Sequence, residues 1–293
     1  YWFISYDNGT NWTQLDKATG EDGKDGADAT ESVEDVPGTE EQISTETGEG
    51  TTGQVLQNTQ IENVSSLDAT SHDWGLGSHT DDENRPLDAV NAQETYGKYN
   101  AYFIGDDTKD IYLTFDEGYE YGQTESILNT LKEKGVSATF FVTEPYAKDN
   151  PDLVRRMIDE GHVLGNHSVT HPSAGMPSLS LDKQENEVTE NHAYIKENFG
   201  YDMYLFRYPT GRFSEQSLAL LNNCNYKSIF WSFAYLDYDV NNQPDHASSL
   251  QKMKDKLHPG AIYLLHAESE TNAAVLGDFI DAVRAAGYGF KNF

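Results

Sequence analysis

The sequence predicts an α/β fold of repeated βα units, either a parallel sheet or a closed barrel. Two observations carry this. Short β-branched and aromatic runs recur between longer amphipathic stretches, and glycine falls just after four of those stretches, where a helix end favours a residue free to adopt positive φ. The strands are expected at 111–115, 138–142, 163–165, 204–207, 228–231 and 261–265. Each is a short apolar run, as a strand buried on both faces requires. The helices between and after them are expected at 123–134, 151–160, 181–198, 214–223, 246–257 and 272–286, with Gly135, Gly161, Gly200 and Gly287 as the punctuating glycines. In a fold of this kind the loops at the C-terminal strand ends carry the chemistry.

A composition break precedes this region. The 293 residues carry 49 acidic and 20 basic side chains, a formal charge of -29, and 21 acidic against 4 basic fall in residues 1–100. From Ala18 to about Thr70 the chain is mostly Gly, Thr, Ser, Glu and Asp, too poor in large apolar groups to offset its ordering entropy. Residues 18–70 are therefore expected to form a flexible acidic linker, and the three-residue spacing of Gly20, Gly23 and Gly26 is too short a repeat for a collagen-like helix. Residues 1–17 place aromatics on both sides of Asp7-Asn8-Gly9, a hairpin turn signal, and read as the remnant of an upstream region. A sugar-binding aromatic module is the alternative. Tyr1 in place of an initiator Met suggests a chain trimmed at its N-terminus, with no basic and apolar leader after it. Residues 71–293 are the expected catalytic domain, with the motifs in 109–293.

Composition also excludes classes. The single Cys rules out an internal disulfide framework and a thiolate metal site, so any metal must sit on His, Asp or Glu. The acidic balance opposes nucleic-acid binding through phosphate neutralisation. No apolar run approaches the roughly 20 residues of a membrane-spanning helix.

The polar residues collect at the expected strand ends. Asp116-Glu117-Gly118 follows the first strand, and Asn166 to His171 (HSVTH from His167) the third. Arg207-Tyr208-Pro209-Thr210-Gly211 ends the fourth, Asp237 lies beyond the fifth, and His266 terminates the sixth. Taken singly, each has an ordinary structural explanation: a helix cap, a neutralising arginine, a core histidine. Together they suit metal-assisted hydrolysis, in which an ion on His167, His171 and a carboxylate activates water, a second carboxylate takes its proton, and a histidine protonates the leaving group.

Five segments, TFDEGY, HSVTH, RYPTG, FWSFAYLDY and IYLLH, occur in the order and spacing of the polysaccharide deacetylases, the NodB-homology domain or carbohydrate esterase family 4, which residues 109–293 resemble. With WGLG upstream and HPGAIYLLHAES and GYGF downstream, the chain is most similar to the branch of delta-lactam-biosynthetic (muramic acid) de-N-acetylases that acts on peptidoglycan. The resemblance implies a deformed (β/α)7 barrel that removes N-acetyl groups from amino sugars with a divalent ion, zinc first, cobalt or manganese otherwise. It implies Asp116 as general base held by Arg207, His266 as general acid held by Asp237, and Glu117, His167 and His171 as metal ligands. Thr210 would offer its backbone N–H to the acetyl carbonyl, and Trp231, Leu264 and Tyr238 would line the substrate pocket. Glu117 stands where the family has Asp, and Tyr238 where it has Trp.

The expected substrate is cell-wall peptidoglycan, which implies an extracellular or cell-surface location for a monomer. Chitooligosaccharide or poly-N-acetylglucosamine is the alternative substrate. A non-catalytic glycan-binding module and a zinc peptidase built on the two histidines are the competing classes; Ser168 opposes the peptidase, because helical peptidase sites place Glu after the first His.

Overall fold

The computed structural model describes residues 2–4, 13–15 and 52–293. The chain divides into two units, Tyr1–Glu46 and Thr47–Phe293. In the first, β1 (Trp2–Ile4) and β2 (Thr13–Leu15) pair antiparallel; the expected Asp7-Asn8-Gly9 turn lies outside the described residues, as do residues 18–51 of the expected linker.

The second unit runs β3 (His72–Asp73), α1 (Leu87–Tyr96), β4 (Ala101–Tyr102), β5 (Asp110–Glu117), α2 (Thr124–Lys134), β6 (Thr139–Val142), α3 (Glu144–Asp149), α4 (Pro151–Asp159), β7 (Val163–Asn166), α5 (Leu181–Phe199), β8 (Leu205–Phe206), β9 (Arg212–Phe213), α6 (Glu215–Asn223), β10 (Lys227–Ile229), α7 (His246–Asp255), β11 (Ile262–His266), α8 (Glu270–Ala285) and β12 (Gly289–Phe290). Seven parallel strands follow the order β11-β5-β6-β7-β8-β10-β4, with β12 added beside the start of β5. The sheet curls. Beyond β10 the chain reaches β11 through a parallel bridge between Phe233 and Tyr263, and beyond β4 Gly105 N donates to Gly260 O at 2.8 Å. This is the expected barrel of parallel strands with helices outside.

Alternation along the strands sorts the side chains. Tyr112, Phe141, Val163, Leu205, Ile229 and Ile262 form one small cluster inside the curl, whereas Ile111, Leu113, Phe115, Phe140, Leu164, Phe206, Tyr263 and Leu265 belong to the larger core beneath the helices. Two or four residues beyond the inner set, on the same face, lie Thr114 and Asp116 on β5, His167 after β7, Arg207 after β8, Trp231 after β10, and Leu264 and His266 on β11. The register pairs His266 with Asp116. Strand parity thus aims most of the expected site residues into one end of the barrel.

The expected strands and helices are found within a few residues of their predicted ends, and Gly135 and Gly200 close α2 and α5 at φ 60 and 71. Two helices are additional. α1 buries only Ala89 and Ala92, and α3 has six residues with a proline in its first turn, so neither carries a long apolar stripe. The linker boundary also needs correction: residues 52–70 belong to the second unit and pack on its core. Gln54 N donates to Asp202 O at 3.0 Å, Asn58 Nδ2 donates to Asn222 O at 3.0 Å, and Ile61 N donates to Asn223 Oδ1 at 2.8 Å. Leu56, Ile61, Val64 and Leu67 pack on the core. A polar segment is fastened here chiefly by asparagine side chains that satisfy backbone groups, which apolar patterning does not reveal.

Candidate active site

Asp116 is backed by a fully buried arginine. Arg207 Nη1 donates to Asp116 Oδ1 at 3.2 Å, Nη2 donates to Thr114 Oγ1 at 2.8 Å, and Nε donates to Ile229 O at 2.6 Å. The guanidinium also lies 4.6 Å from the Phe141 ring centre and 5.5 Å from that of Trp231. Asp116 itself is 6% exposed, at the cleft floor. With the guanidinium fixed behind it, the carboxylate is held in one orientation.

The histidine loop is held from α5. Glu187 Oε2 accepts from Val169 N at 2.9 Å and Thr170 N at 2.8 Å, and Oε1 accepts from Thr170 Oγ1 at 2.6 Å. One turn on, Asn191 Nδ2 donates to Ser168 O at 3.2 Å and Asn166 Oδ1 at 2.9 Å. These bonds hold a loop in which Ser168 (φ 72) and His171 (φ 46) occupy the left-handed region, a strain of about 1 kcal/mol or more for each non-glycine residue. Glu187→Ala is expected to lower stability by about 3 kcal/mol, since it removes three hydrogen bonds to a charged acceptor. Urea denaturation measures this, and Glu187→Gln, which keeps one acceptor oxygen, is expected to recover part of the loss.

The loop brings two imidazoles together with ring centres 4.8 Å apart. His167 Nδ1 contacts Arg207 O at 2.8 Å. A carbonyl can only accept, so Nδ1 carries the proton and Nε2 presents its lone pair, 3.6 Å from Asp116 Oδ2. Burial pushes the His167 pKa down to about 4 against the pull of Asp116, and burial lowers that of His171 as well. Both are neutral at neutral pH, so the His167–Asp116 contact is not an ion pair.

Across the cleft, His266 Nδ1 meets Asp237 Oδ1 at 2.8 Å, and His266 N donates to Asp237 Oδ2 at 2.9 Å. Asn272 Nδ2 donates to the same Oδ2 at 2.6 Å. Burial opposes the imidazolium, but the hydrogen bond and charge of Asp237, with Asp116 and Glu268 beyond, outweigh it and lift the His266 pKa to about 9. His266 is therefore charged where His167 and His171 are neutral. The Tyr238 ring stands 5.6 Å from that of His266 at 69°.

These groups surround a cleft of about 330 Å³ whose lining includes Asp116, His167, His171, Tyr238 and His266. Arg207 and Asp237 stand behind it as partners of Asp116 and His266. Leu264 lies on the barrel's inner face at 7% exposure, and Trp231 borders Arg207; neither lines the cleft, nor does Thr210, an exposed residue at φ 60 in the Pro209–Gly211 turn. Tyr119 and Glu268 are among the cleft residues to which the sequence reading gave no role. Tyr119 is 71% exposed at the rim. Glu268, two residues past His266, has its pKa raised to about 7, chiefly by burial. Its place on the same strand end as His266 was the available signal.

Glu117 does not join the cleft. It is fully buried, neither of its oxygens has a hydrogen-bond partner, and its pKa is pushed well up by burial, with the nearby Glu120, Glu268 and Asp116 adding to the effect. Its strand position places it with Phe115 on the helix side of β5, opposite Asp116. For a divalent ion, the two neutral imidazoles are suitable donors. Glu117 is not brought to them, and among the described residues no three His, Cys, Asp or Glu groups converge as ligands.

A curled parallel sheet with ionisable groups gathered at its C-terminal strand ends defines the class of α/β-barrel enzymes that work at that rim. The polysaccharide deacetylase profile matches residues 104–229. The peptidoglycan-N-acetylmuramic acid deacetylase PdaA of Bacillus subtilis is 42% identical over 197 residues, 67% of this chain and 74% of that protein. The solved structure of Bacillus subtilis PdaA, a family 4 carbohydrate esterase, superposes with a TM-score of 0.72 at 36% identity, covering 77% of this chain and 96% of that one. A chitooligosaccharide deacetylase of Rhizobium leguminosarum is 35% identical over 164 residues, 55% of this chain and 73% of that protein. The chain belongs to the polysaccharide deacetylase family, family 4 of the carbohydrate esterases.

Proposed function

We propose that the chain hydrolyses the N-acetyl groups of amino sugars in peptidoglycan, with Asp116 as general base and His266 as general acid. The observation that carries this is the pairing of Asp116 and His266 on adjacent strands, each backed by its own countercharge, Arg207 and Asp237, across one cleft. Asp116 takes a proton from water as the water oxygen bonds to the acetyl carbon. His266 then gives its Nε2 proton to the amide nitrogen as the C–N bond breaks, leaving acetate and a free amine. The Asp237 carboxylate, which lifts the His266 pKa to about 9, supports His266 as the acid. A divalent ion, zinc before cobalt or manganese, would be held by His167 and His171 and would polarise the acetyl carbonyl. Tyr238, at the cleft edge, supplies an aromatic wall for the sugar, while Trp231 and Leu264 shape the barrel end beneath it.

Acetate release from N-acetylated glycan strands, assayed with and without added divalent ions, tests the proposal. Turnover that exceeds the Asp116→Asn background supports it; no acetate under any ion rejects it. The cell-wall substrate implies action outside the cytoplasm, and fractionation that found the mature protein only in the cytosol would contradict this. Among the described residues no helix is long and apolar enough to cross a membrane.

A further inference from the structure

The carboxylate that charges His266 is itself held in place. Asp237 is fully buried in the stretch between β10 and α7. Its Oδ1 meets His266 Nδ1 at 2.8 Å, while Oδ2 accepts from His266 N at 2.9 Å and from Asn272 Nδ2 at 2.6 Å. Asn272 is the anchor that comes from another element. It is buried in the first turn of α8, and its Nδ2 also donates to His266 O at 3.0 Å. A carboxylate and a carbonyl only accept, so the amide must face both with its NH2 group. Asn272 Oδ1 accepts from the hydroxyl of Tyr235, whose pKa burial pushes up, so that it keeps its proton. The backbone beneath is fixed as well. Ser269 Oγ, the cap of α8, accepts from Asn272 N at 3.1 Å and donates to Gln243 Oε1 at 2.6 Å, and Gln243 Nε2 donates to Asp237 O at 2.7 Å. The ionisable groups that face His266 are Asp237, Asp116 on β5 and Glu268 after β11, with His171 and the Tyr238 ring also near. Asn272 adds no charge to them; it adds direction.

We infer that Asn272 is a positioning residue for the general acid: its amide bridges the Asp237 carboxylate and the His266 backbone, and so fixes the direction in which the imidazolium presents Nε2 to the leaving nitrogen. Tyr235 holds the amide in turn. The inference rests on the deacetylase proposal and adds a residue to its acid half. Asn272 does not line the cleft, so its removal leaves the glycan contacts in place. What it loosens is the aim of the acid, and a misplacement of about 1 Å in a reacting group costs on the order of 10²-fold in rate.

The test is steady-state acetate release from N-acetylated glycan strands across pH, at a temperature where each variant remains folded. Asn272→Ala is expected to lower kcat by about tenfold to a hundredfold and to leave KM within about twofold. Its alkaline limb is expected to stay near that of the wild type, because Asp237 still supplies the charge. Tyr235→Phe, which removes one hydrogen bond to the amide, is expected to lower kcat by about fivefold and to add nothing in the Asn272→Ala background, since the hydroxyl acts through Asn272. An unchanged kcat in folded Asn272→Ala, an alkaline limb moved by a full pH unit, or additive losses in the double variant overturns the inference. Should Asn272→Ala fail to fold, Tyr235→Phe decides alone: an unchanged kcat overturns it. If the wild type releases no acetate, proton NMR of His266 Nδ1–H decides separately. A downfield signal that Asn272→Ala broadens by faster exchange sustains the positioning role while the deacetylase proposal falls; a signal that persists unchanged in the variant defeats both.

Discussion

Asp116→Asn is expected to lower acetate release by about 10² to 10⁴, the range that a positioned general base supplies. Asn is nearly isosteric and still presents an oxygen to Arg207 Nη1, so the cleft keeps its shape and loses only the group that accepts the water proton. The substitution has a second consequence. Arg207 is fully buried, and among the described residues Asp116 is its one carboxylate partner. Leaving a buried guanidinium without its countercharge is strongly destabilising, by about 3 to 5 kcal/mol when the partner is deleted outright. Because Asn retains a hydrogen bond, the loss for Asp116→Asn is expected at or below the low end of that range. Thermal unfolding of the variant, read beside its kinetics at a temperature where it remains folded, separates lost chemistry from lost fold. Rates within tenfold of the wild type in a folded variant would remove Asp116 from the mechanism.

How far the site was legible in the sequence turns on strand parity. The apolar runs fixed the strands, and the polar residues that follow them marked the rim. The same alternation also places Glu117, one step from Asp116, on the helix side of β5, where Glu120 and Tyr146 are neighbours rather than the imidazoles. Motif resemblance assigned it to the metal; the two-residue period of the strand assigns it to the core. Glu268 shows the converse: it lies beyond the last expected strand, in a loop, where periodicity says nothing. Its burial, which raises its pKa to about 7, is a property of three dimensions. The segment 52–70 was misread because polar residues that satisfy distant backbone groups look, in one dimension, like residues that satisfy water.

The acid half of the mechanism makes the second large prediction, because Asp237 is what keeps His266 charged. The ordinary His266 pKa of 6.5 is raised to about 9 in the fold. The stability that the imidazolium draws from Asp237 is fully present below pH 6.5 and is lost as the pH rises through about 9. Activity that needs the protonated acid is expected to follow the same limb, falling above about pH 9. In Asp237→Asn the burial that opposes the imidazolium is no longer outweighed, and the pKa is expected to drop to or below its ordinary value. At pH 8 the protonated fraction alone then falls by about thirtyfold, and the alkaline limb of the kcat profile moves acidward by more than two pH units. Lowering the pH restores part of the lost rate in this variant. No restoration follows in Asp116→Asn, whose defect is the missing base and not a shifted acid. An alkaline limb that stays near 9 in folded Asp237→Asn would show that some group other than His266 protonates the leaving amine.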